Sequence, residues 1–122
     1  ALANLDLWVR QGIPAPRAPR LELTPTDAGV AFATDQFGNA VGGVRSPWLD
    51  APIATYHSNG IGPGTCLSIG WKEEFSWNRL ETIYGSAAGF QQLFNAAVDR
   101  LMEQHWLTEV DGQRIKNEAA RF

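Results

Sequence analysis

The stretch GNAVGGVRSPWLDAPIATY, residues Gly38 to Tyr56, holds two adjacent glycines, an arginine, a tryptophan, an aspartate and two prolines within nineteen positions. No repetitive or simply amphipathic segment needs that mixture. Glycine accepts positive φ, and proline fixes φ near about −65°. The composition therefore predicts backbone held in one irregular path, around which the regular elements are arranged.

The residues just before this stretch are typical of short, half-buried strands. Residues 21–34 place apolar side chains at alternating positions. Residues 35–39 (DQFGN) are a turn signal in which Gly38 and Asn39 both tolerate left-handed dihedrals. Residues 40–44 then return as a second strand, so the sequence predicts a β-hairpin.

The glycines and prolines inside the stretch indicate where regular pairing fails. Gly42 and Gly43 suggest a bulge or the close approach of another backbone. Pro47 and Pro52 cannot donate to a β-ladder, so a third extended piece over residues 51–56 is expected at an edge or outside the sheet.

The chain begins with an apolar stripe that predicts a helix over residues 1–10, followed by a proline-rich connector over 13–20 (IPAPRAPR). A helix this short depends on packing for its stability, so we expect its stripe to contact a partner such as a preceding domain. The start at Ala1, without a signal-peptide pattern, suggests a fragment or a processed product of a longer protein.

The second half of the sequence is helical. Helices are predicted over 76–84, 86 to about 106, and 108 to about 121, and Ser86 and Thr108 are two of the N-cap residues. The predicted fold class is α+β, with a small β-hairpin and irregular β region followed by about three C-terminal helices.

Composition excludes several classes of protein. The 122 residues carry a formal net charge of −3 with no basic stripe, which disfavours nucleic acid as a partner. No apolar run approaches the roughly 20 residues that a membrane-spanning helix needs. Apolar content of 44% is ordinary for a soluble globular protein, and a single Cys66 excludes an internal disulfide without identifying a compartment. A secreted or periplasmic location stays open.

Several runs resemble a large family of bacterial alpha/beta-hydrolase-domain proteins. LDLWVRQGIPAP (5–16) is similar to the end of the family's hydrolase domain. The 38–56 stretch is similar to its C-terminal portion. Weaker likeness extends to GPGTC (62–66), to the aromatic-rich helix around Tyr84 and Phe90, and to the closing run LTEVDGQRIKNEAARF.

The resemblance implies a serine esterase or lipase whose catalytic base lies upstream of the segment matched by residues 5–16. This chain would then begin after all three catalytic residues. The implied organisation is a terminal core helix (1–12), the connector (13–20), a β-hairpin and loop region (21–71) and a helical C-terminal region (72–122). Its expected partner is the missing N-terminal hydrolase core, on the same chain or a second polypeptide.

Catalysis by this chain alone has little support in the sequence. There is no GxSxG nucleophile elbow. A triad of a serine, His57 and Asp50 is conceivable but is not favoured by spacing. Cys66 beside His57 or His105 lacks a flanking signature and is more typical of a packed residue. Metal-ligand spacing is absent, so neither a metal nor a cofactor is expected.

The glycine-rich run 60–64 could be mistaken for a phosphate-binding loop. No Lys-Ser/Thr pair follows Gly64, and no long helix is predicted to begin there. A structural loop is the better interpretation.

Four residues are candidates for the border of a substrate cleft: Arg45, Trp48, Tyr56 and His57. Arg45 and Asp50 flank a Pro-Trp pair and could bind each other, fixing the path of the segment, or Arg45 could face a substrate carboxylate. We favour the first interpretation.

The leading hypothesis is a non-catalytic C-terminal segment of a serine esterase. The alternative is a free-standing interaction module without enzymatic activity, which would use exposed aromatic side chains on its helices. The substrate is not readable from these residues.

Overall fold

The computed structural model describes residues 2–27, 29–60 and 62–121. The predicted helix position Ala1, the strand-region residue Ala28, the loop residue Ile61 and the terminal Phe122 lie outside the described residues. The elements in chain order are α1 (Leu2–Gln11), β1 (Leu23–Thr26), β2 (Gly29–Phe32), α2 (Pro47–Asp50), β3 (Ala54–His57), a 3-10 helix (Gly64–Ser68), β4 (Trp71–Glu74), α3 (Trp77–Tyr84), α4 (Ala87–Glu103) and α5 (Glu109–Ala119). The α+β prediction is confirmed.

The first hairpin lies earlier in the chain than expected. β1 pairs with β2 in antiparallel register from Leu23↔Phe32 to Thr26↔Gly29. Across the predicted turn at 35–39 there is only one isolated bridge, Thr34↔Ala40. Both strands are exposed along their whole length, so the prediction of half-buried strands was wrong. No layer of the described chain covers this hairpin.

The predicted return strand at 40–44 does not continue beyond Ala40. Gly42 and Gly43 adopt φ of 87° and 67°, which takes the backbone out of extended geometry. The proline-rich connector crosses here, because Gly43 N donates to Pro19 O at 3.1 Å. A Cβ atom on Gly42 would collide with the carbonyl oxygen of Arg20. The expected close approach of another backbone is therefore confirmed.

A short helix that the sequence did not predict precedes the extended piece expected over residues 51–56. Pro47 opens the four-residue helix α2, where its missing N–H and fixed φ are tolerated. The extended part starts at Ala54 and pairs antiparallel with β4, from Ala54↔Glu74 to His57↔Trp71. β4 thus crosses the predicted boundary between residues 71 and 72.

The loop that joins β3 to β4 contains the five-residue 3-10 helix, in which Cys66 is exposed. A strand follows it, not a long helix.

The C-terminal helices begin where local capping chemistry predicts. The hydroxyls of Ser76, Ser86 and Thr108 accept hydrogen bonds from backbone N–H groups three residues on. α4 ends at Glu103 instead of reaching residue 106, because His105 adopts a left-handed φ of 61°.

The core lies between α2, α4 and α5. Its buried residues are Ala51, Phe90, Phe94, Val98 and Ala119. By contrast, no described residue from 2 to 38 is buried. The core is therefore built by the last two-thirds of the chain. Among the described residues, no helix is both long and apolar enough to cross a membrane.

Candidate functional site

Arg45 is held at the centre of the 38–56 segment by four hydrogen bonds. Its Nε donates to Asp50 Oδ1 at 2.8 Å, and its Nη2 donates to Asp35 Oδ2 and to Leu49 O, both at 2.7 Å. Its Nη1 donates to Ala40 O at 2.6 Å. The predicted Arg45–Asp50 pair is confirmed, and the guanidinium ties the turn at 35–40 to helix α2.

The electrostatics of this cluster keep Arg45 charged. Burial alone would lower the pKa of Arg45, but hydrogen bonds and Coulombic attraction from Asp50 and Asp35 outweigh it, and the net effect raises the pKa. Asp50 also accepts a hydrogen bond from Arg100 Nη2, which links α2 to α4. Arg45 and Asp50 are both mostly shielded from solvent.

Trp48 and Tyr56 share one shallow depression of about 490 Å³, whose remaining lining residues are Ser46, Leu49, Ile53 and Lys72. The Trp48 ring also meets Phe94 edge-on, with centroids 4.6 Å apart. Burial, together with a smaller effect of Glu74, raises the pKa of Tyr56 against the opposing effect of Lys72. The structure thus brings two of the four cleft candidates together.

His57 points to a different environment. Its imidazole stacks on Trp71 with centroids 4.1 Å apart and the two planes 13° from parallel. Its Nε2 atom is enclosed without a hydrogen-bond partner, and Glu73 Oε2 lies 4.0 Å away. Neither Arg45 nor His57 lines the depression that Trp48 and Tyr56 share.

Asn39 is a structural residue that the sequence interpretation missed. Its side chain is fully buried, its Nδ2 donates to Ala54 O at 3.1 Å, and its Oδ1 accepts from Tyr56 N at 2.8 Å. The sequence indicated Asn39 only as a turn residue with a left-handed backbone. Of the two residues so predicted, only Gly38 has positive φ, at 80°.

A second concavity lies between α3 and α4, and we call it the α3–α4 groove. It has a volume of about 480 Å³. Its lining residues are Ile53, Glu74, Phe75, Trp77, Leu80, Glu81, Tyr84, Gly85, Ser86, Ala87 and Phe90. The Tyr84 hydroxyl donates to Pro52 O at 2.8 Å, and burial, followed by a smaller effect of Tyr56, raises the pKa of Tyr84 to about 12.

A family model described as an alpha/beta hydrolase domain matches residues 1–117, which is nearly the whole chain. The chain belongs to this alpha/beta hydrolase domain family. The resemblance seen in the sequence is therefore confirmed at the level of the family. No curated protein and no solved structure matches the chain significantly.

A serine hydrolase needs a nucleophile, a base and an acid in mutual contact. In this hydrolase-domain chain, the Asp50 carboxylate accepts from Arg45 and Arg100. The Ser58 hydroxyl, next to His57, donates to Asn59 Oδ1 at 3.4 Å. Over the part of the chain that the structure describes, no hydrogen bond joins a serine hydroxyl to an imidazole.

The structure also lacks the contacts that a cysteine–histidine pair or a metal site would need among the described residues. Cys66, in its exposed 3-10 turn, has no hydrogen bond to His57 or His105 among the described residues. His105 instead accepts at its backbone carbonyl from Asn4 Nδ2, at 2.9 Å. Within residues 2–27, 29–60 and 62–121, no group of three or more His, Cys, Asp or Glu side chains is arranged to hold a metal ion.

Proposed function

We propose that this alpha/beta-hydrolase-domain chain is the non-catalytic C-terminal segment of a serine esterase, which packs on the catalytic core and borders its substrate cleft. The observation that carries the proposal is the large uncovered apolar surface of residues 2–34. Exposed apolar side chains in this part are Leu2, Leu5, Trp8, Val9, Ile13, Leu21, Leu23, Val30 and Phe32.

Helix α1 gives this surface its clearest form. Trp8 is 58% exposed and Val9 is 78% exposed, although their spacing with Leu5 is that of a core-facing stripe. A ten-residue helix is marginal in water unless its apolar face is packed. Contiguous apolar surface of this kind is typical of a protein–protein or interdomain contact. We propose a hydrolase core as this partner, and membership of the alpha/beta hydrolase domain family supports that choice.

The lack of a nucleophile motif and the engagement of Asp50 support a non-catalytic role for this chain beside the proposed hydrolase core. The nucleophile elbow of such hydrolases is a GxSxG turn between a strand and a helix, and the 122 residues contain no such motif. We propose that the core supplies the nucleophile, base and acid. The acid candidate Asp50 is already engaged by two arginines, Arg45 and Arg100.

Among the four cleft candidates, Trp48 and Tyr56 are the two that we propose face the substrate mouth. They line one depression beside Lys72, where an aromatic wall and a polar rim could contact a bound ester. Arg45, whose guanidinium donates to Asp35 and Asp50, would fix the path of that wall. The cleft role of His57 stays a prediction.

The test uses the protein as its gene encodes it. We expect its intact mass to exceed that of this chain, or a second polypeptide to accompany it, and we expect it to cleave a simple aryl ester. Amide hydrogen exchange should show residues 2–11 protected, as α4 is. A monomeric product of only this length, with freely exchanging α1 amides and no ester turnover, would overturn the proposal and favour the interaction module.

One further experiment separates a self-contained hydrolase from a segment of a larger one. If ester turnover resides in this chain, His57→Ala or Cys66→Ala should abolish it. We expect neither variant to abolish the turnover of the natural protein, because no hydrogen bond joins the His57 or Cys66 side chain to another candidate catalytic side chain among the described residues.

A further inference from the structure

None of the four cleft candidates lines the α3–α4 groove, which shares the lining residue Ile53 with the depression of Trp48 and Tyr56. Its volume of about 480 Å³ is within the range of about 300–1,000 Å³ that is usual for small-molecule sites. Such sites combine apolar and aromatic walls with a few polar groups that set orientation. The groove has both features, so its chemistry indicates what could bind there.

The walls are mainly aromatic. Phe75, Tyr84 and Phe90 form the inner surface, and Tyr84 meets Phe90 edge-on with centroids 5.3 Å apart. Trp77 stands at the edge and is 81% exposed, so its indole face is open to a ligand. Tryptophan is the aromatic side chain with the strongest attraction for a cation.

The charged groups of the lining are both acidic. Glu74 and Glu81 contribute carboxylates, and no lysine or arginine lines the groove. Glu74 is paired with Lys72 at 2.7 Å, but Glu81 has no cation within 4.0 Å among the described residues. Arg79 lies 3.8 Å from the centre of the Phe75 ring and is not part of the lining.

The dipoles of the helices that end at the groove do not change the negative charge of its lining. The C-terminal end of α3, at Tyr84 and Gly85, borders the groove with partial negative charge. The N-terminal end of α4, at Ser86 and Ala87, borders it with partial positive charge of similar size. These two contributions oppose each other, so the carboxylate of Glu81 determines the charge preference.

We propose that the α3–α4 groove binds a small organic cation with an apolar body, such as a quaternary ammonium that carries an aryl or alkyl group. The apolar body occupies the aromatic walls, and the ammonium lies between the Trp77 face and the Glu81 carboxylate. This site is independent of the proposed role beside a hydrolase core, and it can be tested without ester turnover.

The experiment titrates the whole chain with benzyltrimethylammonium and follows backbone amide shifts by NMR. Two matched probes are its neutral tert-butyl isostere, neopentylbenzene, and the anion phenylacetate. We expect the cation to shift resonances around the groove and to bind at least about fivefold more tightly than the neutral isostere, and we expect the anion not to bind.

Variants locate the charge and the aromatic face. Glu81→Gln and Trp77→Ala should each weaken binding of the cation by about threefold or more, whereas the exposed control Glu103→Gln should not. All three positions are exposed, so the fold should tolerate the changes. Equal binding of the neutral isostere would indicate a binding site for an apolar segment and would overturn the proposal. An unchanged affinity in Glu81→Gln, or no binding of the cation, would overturn it as well.

Discussion

The side-chain amide of Asn39 pairs with the backbone of Tyr56 as a third β-strand would. β3 bonds to β4 along one edge, and the outward-facing groups of its other edge, Ala54 O and Tyr56 N, are both satisfied by Asn39. Asp35 Oδ1 prepares this arrangement by accepting from the backbone N–H of Asn39 at 3.0 Å. One buried amide therefore attaches the turn to the sheet.

Replacing Asn39 should be among the most damaging changes in the chain. Asn39→Ala leaves the buried carbonyl of Ala54 and the partly buried N–H of Tyr56 unpaired, so we expect the free energy of unfolding to fall by about 2–4 kcal/mol. Asn39→Asp keeps the acceptor for Tyr56 N but faces Ala54 O with a carboxylate, and should also destabilise. Chemical denaturation measures both, with Asn117→Ala on the exposed face of α5 as the control. Equal stabilities for Asn39→Ala and Asn117→Ala would contradict the strand-like role.

The contrast between Asn39 and the helix caps shows what a sequence can and cannot predict here. Ser86 and Thr108 bond to N–H groups three residues away, so local patterns were enough to place their helices. Asn39 bonds to Tyr56, seventeen positions on, and only the folded path brings them together. The local sequence located the turn correctly, but it predicted a left-handed backbone at Asn39 and not the side-chain hydrogen bonds that the residue makes.

Two other differences have the same origin. The sequence interpretation used Pro47 only as a residue that cannot donate to a β-ladder, yet its fixed φ also suits the first position of a helix, and the structure places it there. The α3–α4 groove depends on Glu74 of β4, Trp77 of α3 and Phe90 of α4 lining the same concavity. Neither spacing nor composition reveals such a convergence.

Arg45 should not be replaceable by lysine. A lysine keeps the charge, but a single ammonium cannot reach Asp35, Asp50 and the carbonyl of Leu49 in the geometry of a guanidinium fork. We expect Arg45→Lys to lower the free energy of unfolding by about 2 kcal/mol. Arg10, which pairs with Asp6 on the exposed surface of α1, provides the matched control: Arg10→Lys should change stability by less than about 0.5 kcal/mol. Similar losses for both variants would show that the Arg45 cluster is not a special contact.

Gly42 should tolerate alanine less well than a glycine of similar φ in open space. Gly42 has φ of 87° and Gly85 has φ of 70°, so a left-handed alanine costs about 1–2 kcal/mol at either site. Of these two glycines, only Gly42 lies where a new Cβ would collide with backbone, namely with the carbonyl of Arg20. Thermal or chemical unfolding should therefore show Gly42→Ala to be less stable than Gly85→Ala. The reverse order would mean that the connector does not cross Gly42 closely.

The raised pKa of Tyr84 predicts a loss of stability in alkali. Because burial raises this pKa from 10.0 to about 12, the folded protein keeps the phenolic proton after the unfolded chain has lost it. The resulting stabilisation is complete below pH 10 and disappears as the pH rises to about 12. Tyr84→Phe should remove this part of the pH profile. It should also cost about 1 kcal/mol at neutral pH, because the hydrogen bond to Pro52 O is lost.

Denaturant midpoints across alkaline pH, together with the absorbance of the phenolate, measure this effect. Tyr56→Phe is the comparison, since the chain has two tyrosines and burial also raises the pKa of Tyr56. If Tyr84→Phe and the unaltered protein lose stability in parallel above pH 10, the effect does not come from Tyr84.

The apolar stripe of α1 should matter for association and not for the internal core. Trp8 is 58% exposed, so Trp8→Glu should change the free energy of unfolding of the core between α2, α4 and α5 by no more than about 0.5 kcal/mol. If α1 packs on a hydrolase core, as we propose, the same change would bury a carboxylate in that contact and should weaken the packing several-fold. Val110→Glu, at an 80% exposed position on α5, is the control for an added surface charge. Hydrogen exchange of residues 2–11 distinguishes the two variants: Trp8→Glu should release their protection, and Val110→Glu should leave it intact. If Trp8→Glu leaves that protection unchanged, α1 does not contact the core through this face.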